Sequence, residues 1–311
     1  MKLAMVFPGQ GSQVVGMLRA YAGLPGVDEV RRQAGEALGA EFLKLLDEGP
    51  REALNLTVNT QPAMLTAGYA AYRAWRGLGG AAPQFVAGHS LGEYTALVAA
   101  GSIDFVQCLP LVRFRAQAMQ EAVPEGQGAM AAILNLDDAA VRAACAEAAQ
   151  GQVVDAVNFN APGQIVIAGH REAVARAMEL CKAKGAKRAL PLPVSAPFHS
   201  SLMRPAAERL RGYLAGVAVA APAIQLINNV DVRVETQPEA IKDALVRQAA
   251  APVRWVETMR QMRAQGVTHV LECGPGKVLA GMVKRIEAEL QSFALADRAL
   301  LEQALAAVKG G

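Results

Sequence analysis

Residues 88 to 92, Gly-His-Ser-Leu-Gly, place a serine between two glycines, after a short apolar run and before an alanine-rich stretch. In the G-x-S-x-G pattern a sharp turn between a strand and a helix exposes the serine hydroxyl, and the small flanking residues relieve crowding. The context fits, because a strand is predicted before Ser90 and a helix after it. We therefore expect Ser90 to be a nucleophile. A serine at an ordinary tight turn is the alternative.

A serine hydroxyl is a weak nucleophile unless a base lies within hydrogen-bond reach. Of the four histidines in the chain, His199 lies in the proline-broken loop 195–201, ahead of a predicted helix at 205–214. Loops of this kind carry catalytic groups more often than the interiors of helices and strands do, so we expect His199 to be the base. No acidic residue between Ser90 and His199 stands out as the group that orients the imidazole. The other histidines are expected to be structural or solvated: His89, His170 and His269.

Arg115 lies in a predicted helix at 105–120, and its neighbours three and four positions away are apolar: Leu111, Val112, Ala118 and Met119. Its guanidinium therefore emerges from an apolar face of the helix. A buried guanidinium needs an anion and can hold a carboxylate through two parallel hydrogen bonds. The spacing favours recognition of an acidic acyl group, and an internal salt bridge is the alternative. Pro110 is expected to kink this helix or to shift its start.

These residues must be positioned by elements that alternate between strand and helix. A buried strand is predicted at Leu3 to Phe7, followed by a glycine-rich loop and a helical stretch after Gln13. The same order recurs at 85–100 and again from Val267 to Leu271, where the turn 274–276 follows. We interpret that Gly-Pro-Gly turn as structural, because a lone glycine-rich turn is weak evidence for a phosphate site. The alternation predicts an α/β fold with a parallel sheet and an α/β-hydrolase-like core.

The middle of the chain has a different pattern of elements. Strands are predicted at 129–136, 153–158, 164–168 and 188–194, with helices from Asp138 and from Glu172, which gives the order βαββαβ. A ferredoxin-like module of this kind folds as its own layer. We therefore predict an inserted subdomain at 127–195 and a discontinuous catalytic domain at 1–126 and 196–311.

Composition excludes several classes of function. A net charge of +3 with 19% charged residues is far from the basic stripe of a nucleic-acid binder. The four cysteines form no Cys-x-x-Cys pair and suggest neither disulfides nor zinc, and the histidines lack the spacing of metal ligands. No stretch has the length of a signal-peptide core or a membrane span. We expect a cytoplasmic protein that binds no nucleic acid, membrane or metal.

Seven motifs, in their order and spacing, together resemble the bacterial malonyl-CoA:acyl carrier protein transacylases. The resemblance extends from the first strand to about Lys277, which is nearly the whole chain. The motifs are Phe7-Pro-Gly-Gln-Gly-Ser-Gln13, Thr60-Gln-Pro-Ala63, Gly88-His-Ser-Leu-Gly-Glu-Tyr94, Met119-Gln-Glu-Ala-Val-Pro124, Asn158-Phe-Asn160, Phe198-His199 and Gly274-Pro-Gly-Lys277.

The resemblance implies that malonyl-CoA acylates Ser90 with His199 as the base. The phosphopantetheine thiol of an acyl carrier protein then takes the malonyl group, in support of fatty acid synthesis, without a cofactor. It implies that Arg115 binds the malonyl carboxylate, and we expect a monomer. The remaining roles implied by position are an oxyanion hole made by the backbone N–H groups of Gln10 and Leu91, a main-chain carbonyl near Gln248 that orients the histidine, and Gln61 lining the acyl pocket.

Phe198 departs from the family pattern, because many free-standing bacterial members carry a small residue before the histidine. In the related polyketide-synthase acyltransferases a phenylalanine there accompanies malonyl rather than methylmalonyl specificity. We therefore expect Phe198 to fill the space beside the malonyl α-carbon.

Three other functions remain open at this point. A serine hydrolase would use the same nucleophile with water as the acceptor, and a non-catalytic module would only bind a carrier protein. Within the transferases, the protein could serve a polyketide assembly line or a malonate decarboxylase.

Overall fold

Two separate sheets, one parallel and one antiparallel, organise the chain in the computed structural model. The structure describes residues 1–194 and 196–309. The predicted mixed α/β class is confirmed at this level. The predicted boundary at residue 195 and the last two residues of the predicted catalytic domain lie outside the described residues.

The parallel sheet has five strands in the order β7-β2-β1-β8-β9. Successive side chains of a strand point to opposite faces, so Met5 and Phe7 pack into one apolar core while Ala4 and Val6 pack into another. Because both faces are covered, the neighbouring strands β1 and β2 carry no polar side chain. The strands are β1 (Leu3–Phe7), β2 (Phe85–Gly88), β7 (Gln225–Leu226), β8 (His269–Glu272) and β9 (Gln291–Ala294).

Helices cover both faces of this sheet. Between β1 and β2 run α1 (Val27–Leu38), α2 (Ala40–Glu48), α3 (Arg51–Leu54) and α4 (Thr57–Gly77), and β2 is followed by α5 (Gly92–Ala99) and α6 (Phe105–Glu121). The later helices are α9 (Arg204–Ala215), α10 (Pro238–Ala249), α11 (Trp255–Ala264), α12 (Val278–Ile286) and α13 (Arg298–Lys309). No helix in the described residues is long and apolar enough to span a bilayer.

The antiparallel sheet is built from the middle of the chain in the predicted βαββαβ order. Its elements are β3 (Gly128–Leu134), α7 (Asp138–Ala149), β4 (Val154–Ala161), β5 (Gln164–His170), α8 (Arg171–Ala183) and β6 (Arg188–Pro191), and the strand order is β4-β5-β3-β6. Helices α7 and α8 cover one face. The other face carries Met130, Val157 and Val166, against which Phe198 packs. This second face therefore lies against the loop that holds His199.

Hydrogen bonds join the two layers. The backbone of Val253 donates to Val157 at 2.8 Å and accepts from Phe159 at 3.0 Å. The side chain of Asp155 on β4 accepts from the backbone N–H and from the hydroxyl of Ser201, at 2.8 and 2.9 Å. The antiparallel layer is thus fixed to the segment that contains the predicted base.

Two predictions about local structure were wrong. The helical stretch after Gln13 is only a 3₁₀ turn at Met17–Tyr21, and the first α-helix begins at Val27 after Gly26 adopts a left-handed conformation. Strand β6 ends at Pro191 rather than Val194, because the backbone N–H of Val194 donates to the carbonyl of Leu192 in its own segment, at 2.8 Å, instead of to β3. Of the two effects expected of Pro110, a shifted start of α6 is excluded, since the helix begins at Phe105 as predicted and the Asp104 side chain caps it by accepting from Gln107 N at 3.1 Å; a kink at Pro110 stays a prediction.

Candidate active site

Ser90 stands on a strained turn between β2 and α5. Its φ of 52° lies in the left-handed region, which a non-glycine residue adopts only when its surroundings hold it there. Two side chains do so: Asn229 Oδ1 accepts from Ser90 N at 2.9 Å, and Gln248 Nε2 donates to Ser90 O at 2.9 Å. The flanking glycines are required by close approach, because a Cβ on Gly88 would lie 1.8 Å from the carbonyl carbon of Gly92.

His199 lies against the hydroxyl of Ser90, with 2.6 Å between its Nε2 and Ser90 Oγ. Its Nδ1 is 3.0 Å from the main-chain carbonyl of Gln248. A carbonyl only accepts, so Nδ1 carries the proton and Nε2 presents its lone pair to the serine. Burial, with the nearby Arg115 guanidinium as a second cause, lowers the pKa of His199 to about 3. The imidazole is therefore neutral at physiological pH and can accept a proton.

The histidine is held on a constrained loop. His199 itself has a φ of 66°, and the next residue, Ser200, donates its hydroxyl proton to the carbonyl of Pro197 at 2.7 Å. The contact between Asp155 and Ser201 holds the other end of this loop. The orientation of the imidazole thus depends on both layers of the protein.

Arg115 is almost completely buried, with 1% of its surface exposed. Its Nη1 donates to Gln61 Oε1 at 2.8 Å, and its Nη2 donates to Gln248 Oε1 at 2.9 Å and to Ser90 Oγ at 3.1 Å. No carboxylate forms an ion pair with it within the described residues, which argues against the internal salt bridge. The guanidinium is a buried cation beside the nucleophile, so an anionic ligand can neutralise it.

A cleft of about 450 Å³ opens above these residues. It is lined by every predicted site residue except Gln248, which lies behind Ser90. The backbone N–H groups of Gln10 and Leu91 donate no hydrogen bond within the described residues. Phe198 is half-buried in the wall. The polar residues Gln13, Arg51 and Asn55 also line the cleft.

The chain is similar to known proteins over nearly its whole length. A family model for the acyl transferase domain matches residues 4–299. The malonyl CoA-acyl carrier protein transacylase of Escherichia coli K12 is 56% identical over 305 residues, which cover 98% of this chain and 99% of that protein. The chain belongs to the malonyl-CoA:acyl carrier protein transacylase family. The resemblance inferred from the seven motifs is thereby confirmed.

Solved structures of transacylases superimpose closely on the chain. An acyl-carrier-protein S-malonyltransferase from Burkholderia pseudomallei 1710b has a TM-score of 0.97 and 64% identity, covering 98% of this chain and 100% of that one. A malonyl-transacylase solved in complex with a type II PKS acyl-carrier protein has a TM-score of 0.96 and 52% identity, covering 99% of this chain and 100% of that one.

In this transacylase two buried residues that sequence reasoning did not single out support the nucleophile. Glu93 Oε2 accepts from Asn229 N at 2.9 Å and from Gln248 Nε2 at 3.1 Å, and burial raises the pKa of Glu93 to about 7. Glu93 therefore connects the two residues whose side chains hold Ser90, through the backbone N–H of Asn229 and the side chain of Gln248. It stands inside the quoted motif at 88–94, so a signal for it existed. Asn229 follows a two-residue strand and gave no comparable signal.

The other three histidines of the transacylase have partners away from the nucleophile. His89 Nε2 lies 2.7 Å from Asn160 Oδ1, and His170 Nδ1 accepts from Val153 N at 2.9 Å. His269 stacks on Phe293. None of the three contacts Ser90 Oγ. Within residues 1–194 and 196–309, no three His, Cys, Asp or Glu side chains are grouped so that they could hold a metal ion.

Proposed function

We propose that the protein transfers the malonyl group of malonyl-CoA to the phosphopantetheine thiol of an acyl carrier protein through a malonyl ester on Ser90, and so supplies fatty acid synthesis. One observation carries the proposal. Ser90 Oγ lies 2.6 Å from the base His199 and 3.1 Å from the buried cation Arg115. Nucleophile, base and carboxylate receptor meet at one atom.

In the acylation step, Ser90 Oγ attacks the thioester carbonyl as its proton passes to His199 Nε2. The free N–H groups of Gln10 and Leu91 are available to receive the negative charge that develops on the carbonyl oxygen. Collapse of the tetrahedral intermediate breaks the C–S bond, and the proton on His199 passes to the leaving thiolate of coenzyme A. The products are the malonyl ester of Ser90 and free coenzyme A.

In the transfer step the chemistry runs in reverse with another thiol. His199 takes the proton of the carrier's phosphopantetheine thiol, and the sulfur attacks the ester carbonyl of Ser90. The C–O bond then breaks and His199 returns the proton to Ser90 Oγ. The malonyl group leaves as a thioester on the carrier. No cofactor enters either step.

The malonyl carboxylate is assigned to Arg115 during both steps. The guanidinium already has two amide acceptors, Gln61 and Gln248, and both hold it beside Ser90 Oγ. The Nε–H of Arg115 has no partner within the described residues, so it is available for a carboxylate pair, in which both hydrogen bonds join opposite charges. Phe198 is assigned to the wall beside the malonyl α-carbon.

We also infer a division into the two units expected from the sequence. The βαββαβ layer at 127–195 is assigned as a ferredoxin-like insertion, and 1–126 with 196–311 as an α/β-hydrolase-like catalytic domain. The strand order of the antiparallel sheet and the strand-turn-helix around Ser90 support this assignment. A cytoplasmic monomer is proposed as well, and four buried free cysteines agree with a reducing compartment.

The experiment that tests the proposal is incubation with malonyl-CoA in the absence of carrier protein, followed by intact-mass and peptide analysis. One malonyl group on Ser90 is expected, and none in Ser90→Ala. Labelling at another residue, or no labelling during turnover, contradicts the ester mechanism. Release of free malonate as fast as malonyl-CoA is consumed, even with carrier protein present, identifies a hydrolase instead.

A further inference from the structure

The cleft above Ser90 carries two cations at different depths. Arg115 is buried beside the nucleophile, and Arg51 is exposed in the outer wall. No aspartate or glutamate is among the lining residues. The cleft is therefore electropositive at both levels, and the proposed function uses only the inner cation.

Arg51 makes no hydrogen bond, ion pair or ring contact with another side chain within the described residues. Most other arginines of this chain are engaged, as Arg31 is with Asp47 and Arg254 is with Glu257. An arginine without a partner in the wall of a substrate cleft is free to bind an anion that arrives with the substrate.

Asn55 lies beside Arg51 in the same wall and offers further donors. Its Oδ1 accepts from Gln13 Nε2 at 2.9 Å, and Gln13 Oε1 accepts from Gly11 N at 2.7 Å. This chain of hydrogen bonds turns the Asn55 carbonyl toward Gln13. The Nδ2 group of Asn55 therefore keeps its two donors without an acceptor in the described residues.

We propose that Arg51 and Asn55 bind the phosphate at the pantetheine end of the substrates. This inference rests on the proposed function, in which donor and acceptor share one arm with sulfur at one end and phosphate at the other. The sulfur must reach Ser90 and the arm enters from solvent, so the phosphate remains in the outer part of the cleft. A guanidinium with adjacent amide donors matches phosphate oxygens. One outer site thus serves malonyl-CoA in the first step and the carrier in the second.

The test compares thioesters that differ only in the phosphate. Ser90 acylation is measured with malonyl-pantetheine, malonyl-phosphopantetheine and malonyl-CoA in the wild type, Arg51→Ala, Asn55→Ala and Arg171→Ala. Arg171 is an exposed arginine on α8 that does not line the cleft, so it controls for net charge. For Arg51→Ala we expect a rise of about fivefold in KM for the two phosphate-bearing substrates, the size of a favourable solvent-exposed ion pair, with kcat unchanged.

Malonyl-pantetheine provides the decisive comparison. Its KM should be equal in the wild type and in Arg51→Ala, and the preference of the wild type for phosphate should shrink as salt is raised from low to high concentration, because exposed charges are screened. If Arg51→Ala raises the KM for malonyl-pantetheine by the same factor as for the phosphate-bearing substrates, the inference is overturned, since Arg51 would then act on the shape of the cleft. A higher KM for malonyl-CoA with an unchanged KM for malonyl-phosphopantetheine also overturns it, since a phosphate of the nucleotide would then be the ligand.

The transfer step tests whether the same site also binds the phosphate of the acceptor. Transfer from malonyl-Ser90 to phosphopantetheine and to holo carrier protein should be weakened by Arg51→Ala, whereas transfer to pantetheine should not. Unchanged transfer to both phosphate-bearing acceptors contradicts a shared site. Failure of the proposed function looks different, because then none of the three thioesters would label Ser90 in the wild type.

Discussion

Arg115→Ala is expected to convert a malonyl-selective enzyme into one that no longer distinguishes malonyl from acetyl. Removing the guanidinium leaves the malonyl carboxylate buried without a partner, a loss that typically costs about 2–5 kcal/mol. In this protein the buried Nε–H of Arg115 has no partner within the described residues, so the carboxylate finds one donor of the guanidinium already free.

Since 1.36 kcal/mol corresponds to a factor of ten, a cost of about 2–5 kcal/mol should lower kcat/KM for malonyl-CoA by about 30- to 5,000-fold. Acetyl-CoA has no carboxylate, so its kcat/KM should stay within a few-fold. Arg115→Lys should recover only part of the malonyl activity, because an ammonium cannot form the two-pronged pair.

The assay measures kcat/KM for both thioesters with a holo carrier protein, in the wild type and both variants. Arg113→Ala is the matched control, because Arg113 stands on the same helix but packs over the ring of Phe42 and does not line the cleft. Thermal unfolding of each variant shows whether the loss of a buried side chain has destabilised the protein. If Arg115→Ala lowers acetyl and malonyl transfer by the same factor, the reasoning about substrate choice is refuted.

Two further predictions concern the base and the pocket wall. His199→Ala should slow acylation by about 10²–10⁴-fold. Because the pKa of His199 is lowered to about 3, the acylation rate of the wild type should stay level from pH 8 down to pH 5. A fall in that rate centred near pH 6.5 in stopped-flow measurements would contradict this. Burial raises the pKa of Glu93, behind the serine, to about 7, so the same pH profile measured for Glu93→Gln shows any contribution from that carboxyl group. Phe198→Ser should raise the ratio of methylmalonyl to malonyl transfer by opening space beside the α-carbon, and an unchanged ratio in competition assays shows that Phe198 points elsewhere.

The residues that sequence reasoning found from their own types are those with a local signature. Ser90 lies in a five-residue pattern whose turn is fixed by close packing, and β1 was predicted residue for residue from its apolar run. Arg115 was found from helical spacing alone, since its position on an apolar face is a property of residues 111–119. In each case the signal and the structure that it predicts lie within a few residues of one another.

The parts that could not be predicted depend on contacts between distant segments. The atom of Gln248 that orients His199 is a backbone carbonyl, which every residue type has, so only the family resemblance pointed to this position. Asn229 reaches Ser90 across 139 positions of sequence. Element ends were missed for a similar reason: the extent of β6 depends on pairing with β3, and the 3₁₀ turn after Gln13 depends on left-handed glycines rather than on apolar periodicity.

The link between Asp155 and Ser201 has a consequence for protein engineering. A hybrid made by exchanging the antiparallel layer between two relatives, with crossovers near residues 126 and 195, takes the two members of this contact from different parents. Such a chimera can keep the whole dyad and fold normally, yet hold the imidazole out of line with the serine. Moving the second crossover beyond Ser201 takes the loop and its anchor from a single parent. Recombination libraries of these enzymes should therefore place their junctions beyond the segments that contact the antiparallel layer, rather than at the ends of its strands.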